Sequence, residues 1–560
     1  MKEEALNLVI GGEAGQGLVT VGQILAKSLV RSGYFIVVTQ SYQSRIRGGH
    51  NTFSIRISTE KVMSPRESID LLVALDANTV TLHRENVSPK GIILVDEKFN
   101  IEDDRCLQVP YQQLTPDGFS NITSLAIISA LVGLDEKLVI RTLDDFFGKK
   151  ESKASEENRS LLIKAFSWVA QQTSSLKKLV PVANRPHRLM MNGNEAIAIG
   201  ALSSGLKFCS FYPMTPATSI PLSLSKLAKG MGLVVEQAED EIAAINMAIG
   251  ASFAGAPSMV ATSGGGFALM VEGVSLAGMT ETPIVIVLGQ RPGPATGLPT
   301  RTEQADLEFV LHSGHGEFPR AIFTPGSVED CFYLTRRAFL LAEKYQSPVF
   351  ILTDQFLADS YHAIEHFDIE NLSPIQVAVE SDVSFSSYQR YAITKDGVSP
   401  RVIPGMGKDL VVVDSDEHTE DGHLTEDLTI RPQMVEKRLK KGKRIQAEVI
   451  PPQLQGDKNP DTLFVSWGSS KGAVIEAAEQ MRSNGKSVGS LHFTQVWPLM
   501  VDQFMEYLQE AHQVVCVEGN ATGQLAQLIR RESGFQIKKR VLRYDGLPIT
   551  PEFILQKLNE

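Results

Sequence analysis

Apolar and polar residues along this chain fall into blocks whose period switches repeatedly between strand and helix. The opening stretch "LNLVIGGEAGQGLVTVGQILAKSLVRSGYFIVVTQ" runs from an apolar segment through a glycine turn into a helix of small and apolar residues, then into a second strand, "YFIVV". That order predicts a βαβ unit. "SRIRGGHNTFSIRIS" ends in alternation, and "DLLVALDANTV" and "GIILVDE" add further α/β units. The pattern fades at "QQTSSLKKLVPVANRPHR", so residues 1–175 read as a Rossmann-like α/β domain and 176–188 as a linker.

Across 189–360 the strands "KFCSFY", "LVVEQA", "SMVATS", "PIVIVLG" and "SPVFILTD" alternate with helices rich in Ala and Gly. Continuous apolar strands separated by helices predict a doubly wound parallel sheet. Periodicity is lost over 361–457, where "DSDEHTEDGHLTED" precedes the basic helix "RPQMVEKRLKKGKR". The charge run reads as a solvated, salt-bridged connector, and the spacing of His418 and His423 matches no metal-ligand pattern. Residues 458–560 return to α/β with "DTLFVSWGSS", "KSVGSLHF" and "HQVVCVEGN".

With 560 residues, 43% hydrophobic and 21% charged, the chain has the make-up of a soluble, multidomain globular protein. A net charge of −11 without a long basic run argues against nucleic acid or an anionic membrane surface as partner. No apolar run reaches the ~18 residues of a spanning helix, and the N-terminus lacks a signal-peptide layout, so a cytoplasmic location is expected. Cys106, Cys209, Cys331 and Cys516 are scattered and form no CxxC, so they read as reduced structural thiols and the chain is expected to carry no metal cluster of its own.

Three stretches carry candidate chemistry. Gly12, Gly15 and Gly17 in "GGEAGQG" sit where a phosphate can approach helix N-terminal amides. A nicotinamide site would want an acidic residue at the end of the next strand, and Thr39, Gln40 and Ser41 stand there instead; tight helix–strand packing explains the glycines equally. In "FYPMTPATSI" two prolines bracket Met214 and Thr215, which reads either as a capped strand-to-helix loop or as a rigid mount for the Thr215 hydroxyl. In "QAEDEIAAINMAIGAS" Glu241 falls at the first turn of an apolar helix, where the dipole stabilises it; such a carboxylate is structural or awaits a donor from a ligand.

"YPMTP", "AEDEIAAINMAIGAS", "ATSGGGFALMVEG" and "GQRPGPATGLPTRTEQADL" resemble the α-subunit signatures of the 2-oxoacid:ferredoxin oxidoreductases. The first block, from "GGEAGQG" to "RGGHNTFSIRIS", resembles that family's γ domain fused in front of α. The block with "SWGSSKG" and "VEGNATGQL" is similar to a transketolase C-terminal-like domain. The resemblance implies a pyrimidine-binding-type thiamine diphosphate domain over 189–360, with Glu241 as the acid that bonds the aminopyrimidine ring and favours its imino form. It implies that Thr215 and Arg291 hold the 2-oxoacid, and that Tyr212, Pro213, Glu241 and Gly265 border the cofactor. Arg suits a carboxylate because its planar fork donates two parallel hydrogen bonds.

The resemblance further implies oxidative decarboxylation of 2-oxoglutarate, or of a related 2-oxoacid, to an acyl-CoA, with electrons passed to ferredoxin. Coenzyme A is assigned on the same basis to Gly12, Gly15, Gly17 and Arg47. The GDG motif with which such enzymes grip the diphosphate through magnesium is missing from the chain. A separate β subunit is therefore expected to bring the diphosphate grip, Mg2+ and a [4Fe-4S] cluster in an (αβ)2 hetero-oligomer. Pyruvate or branched-chain 2-oxoacids are alternative substrates. A transketolase-like transferase is an alternative enzyme, but it should carry GDG itself. A nucleotide-sensing scaffold would leave Glu241 and Arg291 as ordinary ion-pair residues.

Overall fold

The computed structural model describes residues 5–43, 49–115, 120–148, 153–172, 176, 178–375, 377, 388–406 and 410–560. The strands of the first block are β1 (Leu6–Glu13), β2 (Phe35–Ser41), β3 (His50–Ser58), β4 (Ile69–Ala74), β5 (Val87–Asp96) and β6 (Cys106–Val109). There follow β7 (Leu189–Met191), β8 (Phe208–Phe211), β9 (Val234–Gln237), β10 (Ser258–Ser263), β11 (Ile284–Gln290), β12 (Ala321–Phe323), β13 (Pro348–Asp354) and β14 (Tyr361–Ile364). The last block holds β15 (Gln453–Gly456), β16 (Thr462–Trp467), β17 (Val488–Phe493), β18 (Gln495–Trp497), β19 (Gln513–Glu518) and β20 (Lys539–Leu542). Among the described residues no helix is long and apolar enough to cross a membrane.

The chain divides into two compact units, one formed by Met1–Asn192 with Asp359–Phe367 and Thr550–Gln556, the other by the rest. The first unit is built on an eight-stranded mixed sheet in the order β6-β5-β4-β1-β3-β2-β14-β7. The helix Leu18–Arg31 does connect β1 to β2, but the two strands are not neighbours: β3 lies between them, antiparallel to both. Alternation in "HNTFSIRIS" puts Phe53, Ile55 and Ile57 into the same core as Leu8 and Ile10. Phe53 lies directly under Gly22 of the helix, where any side-chain carbon would collide with its ring, so glycine sets how closely helix and sheet approach.

The second unit holds a seven-stranded sheet, β18-β12-β13-β11-β10-β8-β9, and a five-stranded sheet, β15-β17-β16-β19-β20. From β12 to β9 every pairing in the larger sheet is parallel. β10, β11 and β13 are buried along their whole length, which is why they read as uninterrupted apolar runs. A single hydrophobic cluster joins Ile245, Phe267, Ile286 and Phe350 to Trp467, Phe493 and Leu525, so both sheets share one core. Phe267 anchors the helix Gly264–Met279 there, edge-on to Phe309 and Phe350. Fully burying such a side chain contributes roughly 1.5–3 kcal/mol.

The basic helix, Ile430–Gln446, departs from the expected solvated face. Lys437 and Lys441 are completely buried, with their Nζ atoms 2.5 and 2.7 Å from the two carboxylate oxygens of Glu281. Arg438 is buried beside Glu417. A charge run looks solvated when its counter-charge is distant in sequence, and Glu281 lies more than 150 residues away.

Candidate functional site

Because β8, β9, β10 and β11 are parallel, the residues that follow them emerge on one edge of the sheet, the side on which open α/β sheets bind ligands. Tyr212, Pro213 and Thr215 follow β8, Glu241 follows β9, Gly265 follows β10 and Arg291 follows β11. Tyr212, Pro213 and Gly265 are exposed, while Thr215 and Arg291 are half-buried.

Glu241 is the first residue of the helix Glu241–Phe253, whose cap is Asp240, accepting from the Ala243 N–H at 2.8 Å. That sharp entry turns the neighbouring carboxylate inward, and Glu241 is only 4% exposed. The helix dipole favours a negative charge at this position. Among the described residues no donor and no cation reaches the carboxylate, although buried polar groups are nearly always paired. Room for it comes from Gly266 in the adjacent helix: a methyl group there would collide with Thr262 and lie 2.6 Å from Glu241 Oε1. Beside it the buried hydroxyl of Ser263 has no partner among the described residues. Nothing but the Ala295 carbonyl, 3.6 Å away, would approach a carbon added at Gly265. A buried carboxylate, an orphaned hydroxyl and an open glycine at a helix N-terminus suit a heteroaromatic cofactor edge that brings its own donors.

Arg291 donates from Nη1 to the Thr215 carbonyl at 2.9 Å, which ties the proline loop to the end of β11. The loop is held from behind by the fully buried Asn194, whose Nδ2 donates to Pro216 O at 2.9 Å and to Ser219 Oγ at 2.7 Å. Pro216 packs on Gly289, where a side-chain carbon would lie 2.9 Å from its ring. The Thr215 hydroxyl has no hydrogen bond among the described residues, so the loop presents it unengaged.

Burial lowers the Arg291 guanidinium from its ordinary value, and Asp306 opposes that shift. Burial pushes the Asp306 carboxyl up to about 6 against the pull of Arg291. Glu303 is raised too, by burial and then by Asp306. The returning loop is pinned by Gln304, whose side chain donates to Trp467 O at 3.1 Å and accepts from the Gly519 N–H at 2.8 Å.

The glycines proposed for coenzyme A belong to the other unit. Gly15 and Gly17 have φ of 97° and 77°, a backbone that favours glycine, and open space surrounds the Cα of Gly15. Gly12 instead packs against Gln16, whose Oε1 accepts from the Glu13 N–H at 2.9 Å. Arg47 lies outside the described residues. Asn194, Ser263, Gly266, Gln304 and Asp306 join the site only through the tertiary structure. Ser263 and Gly266 lie within "ATSGGGFALMVEG" and Gln304 and Asp306 within "GQRPGPATGLPTRTEQADL", the motifs that could have pointed to them, while Asn194 left no signal.

Three families of oxidoreductase domains match consecutive parts of the chain. The pyruvate ferredoxin/flavodoxin oxidoreductase domain matches residues 7–168, the pyruvate flavodoxin/ferredoxin oxidoreductase thiamine diphosphate-binding domain 199–437, and the pyruvate:ferredoxin oxidoreductase core domain II 460–554. The chain is 33% identical to a 2-oxoacid:ferredoxin oxidoreductase subunit alpha from Sulfolobus sp., over 99% of this chain and 96% of that one. It is 34% identical to the 2-oxoglutarate synthase subunit KorA of Archaeoglobus fulgidus, over 66% of this chain and 97% of that one. The solved 2-oxoglutarate:ferredoxin oxidoreductase from Magnetococcus marinus, with 2-oxoglutarate, coenzyme A and succinyl-CoA bound, superposes with a TM-score of 0.93 at 30% identity, covering 100% of this chain and 99% of that one.

Proposed function

The chain belongs to the 2-oxoacid:ferredoxin oxidoreductases as an α subunit, and from that premise we propose that it supplies the pyrimidine side of a thiamine diphosphate site that oxidatively decarboxylates 2-oxoglutarate or a related 2-oxoacid in the cytoplasm. The 2-oxoacid and coenzyme A become an acyl-CoA and carbon dioxide, and the electron pair leaves one electron at a time to ferredoxin. Bound thiamine diphosphate supplies the carbon nucleophile and the electron sink for this chemistry.

The observation that carries the reading is the Glu241 carboxylate, buried without a partner among the described residues in space reserved by Gly266. Glu241 would share a proton at its Oε atom with a ring nitrogen of the bound cofactor, the acid–base role its buried carboxyl is suited to. Arg291 meets the substrate carboxylate through its guanidinium, and the Thr215 hydroxyl donates to a substrate oxygen. Proline rigidity and the Asn194 anchor keep that hydroxyl in place, so little ordering remains at the moment of reaction.

A β subunit completes the site with the diphosphate grip, Mg2+ and a [4Fe-4S] cluster, since the chain has no GDG. Its docking face includes Ile242, Met247 and Leu269, exposed on the two helices that begin at Glu241 and Gly264, and Val234 on the edge strand β9. In the N-terminal unit, Gly12, Gly15, Gly17 and Arg47 border coenzyme A.

Glu241→Gln in the αβ complex tests the reading. The variant should assemble normally, hold thiamine diphosphate more weakly by equilibrium dialysis, and lose about 10²–10⁴-fold in decarboxylation. Wild-type turnover with wild-type cofactor retention would make the carboxylate structural.

A further inference from the structure

Asp306 stands where the loop after β11 turns back into the second unit, and its position is fixed from two sides. Its backbone N–H donates to Gln290 Oε1 at 3.0 Å, the residue next to Arg291. Its carboxyl lies flat against the first turn of the helix Gly264–Met279: a carbon added at Gly264 would be 2.6 Å from Oδ2 and 3.0 Å from Oδ1. Oδ2 is shielded from solvent and has no hydrogen-bond partner among the described residues. The charged groups facing this carboxyl are Arg291, from the end of β11, and Glu303, from its own loop. The helix beneath it presents no acidic residue in its first turn. Arg291 meanwhile turns Nη1 to the Thr215 carbonyl and makes no ion pair with Asp306 among the described residues.

We propose that Asp306 is the through-space counter-charge of Arg291 in the free enzyme, and that it takes up one proton from solvent when the carboxylate of a 2-oxoacid occupies the guanidinium. The inference rests on the reading of Arg291 as the substrate-carboxylate site. Two carboxylates cannot both stay ionised around one half-buried cation without repelling each other. The substrate's own carboxyl is too acidic to accept the proton, so the group already disfavoured in its charged form takes it. Burial has brought Asp306 to about 6, so near neutrality it is charged in the free enzyme and needs only a modest further push to become neutral. The neutral group no longer repels the incoming carboxylate. Protonation accompanies binding, so affinity falls as pH rises above about 6.

The test is the pH profile of kcat/KM for 2-oxoglutarate between pH 6 and 8, measured on the αβ complex with coenzyme A and ferredoxin saturating. The wild-type value should fall by up to about tenfold per pH unit while kcat changes little. Asp306→Asn, which mimics the neutral group, should flatten the profile and stay near the wild-type value at pH 6. If that variant fails to assemble, Asp306→Ser is read by the same criterion. A flat wild-type profile overturns the proposal, and so does a slope that persists in the variant. Arg291→Ala separates the two levels of inference. If it leaves KM unchanged, the substrate reading of Arg291 has failed; if it raises KM while the wild-type profile is flat, only the role of Asp306 has failed.

Discussion

Gly266 reserves the space that the Glu241 carboxylate occupies, with 2.6 Å left between Glu241 Oε1 and any side-chain carbon added at that glycine. The two residues sit on different helices, each entered from a different strand of one parallel sheet. Gly266→Ala should therefore push the carboxylate out of the place proposed for it and displace the buried Thr262 hydroxyl as well. We expect activity to fall by about 10²-fold, the cost of a displacement near 1 Å. Thermal unfolding by circular dichroism should show a loss of about 1–3 kcal/mol from overpacking against Thr262, and a variant with full activity would show that the carboxylate has room to spare.

Arg291 combines two duties, donating to the Thr215 carbonyl and facing the open edge. Arg291→Lys keeps a cation but loses the planar fork, so kcat/KM for the 2-oxoacid should fall by about 10–10²-fold, mostly through KM. Retention of thiamine diphosphate should be unchanged when bound cofactor is assayed after gel filtration. Loss of cofactor together with substrate affinity would mean that the arginine holds the loop and does not meet the substrate.

Glu281 is the only acid against two completely buried lysines, Lys437 and Lys441, among the described residues. Burial opposes its ionisation, but Lys441 and then Lys437 outweigh it, so its carboxyl is held below the ordinary glutamate value. The sign follows from linkage: this stabilisation is present above the unfolded value of about 4.3 and is lost as pH falls further. Glu281→Gln strands two buried cations and should cost about 3–5 kcal/mol in chemical denaturation of the chain. The acid-dependent part of unfolding should shrink in the same variant. Adding Lys437→Met and Lys441→Met should recover much of the loss, because an apolar trio needs no counter-charge.

Much of the architecture was legible because the signals are local. Parallel strands buried on both faces leave unbroken apolar runs, so "SMVATS" and "PIVIVLG" announced themselves, and the family motifs around Glu241 and Arg291 are contiguous in sequence. The β1–helix–β2 crossover was legible too, but the insertion of β3 between those strands was not, because strand pairing is a long-range choice that alternation alone does not settle. The basic helix looked solvated for the same reason: its acid, Glu281, comes from another element.

What the sequence determined by itself was the fold class and the family, both of which depend on period, composition and short motifs. Only the tertiary structure decided that Gly266 makes room for Glu241, that Arg291 turns to a carbonyl of the proline loop, and that Asp306 lies on the turn beginning at Gly264. These are matters of distance between elements far apart in the chain, and distance is set by how the helices and strands pack, which no local pattern encodes.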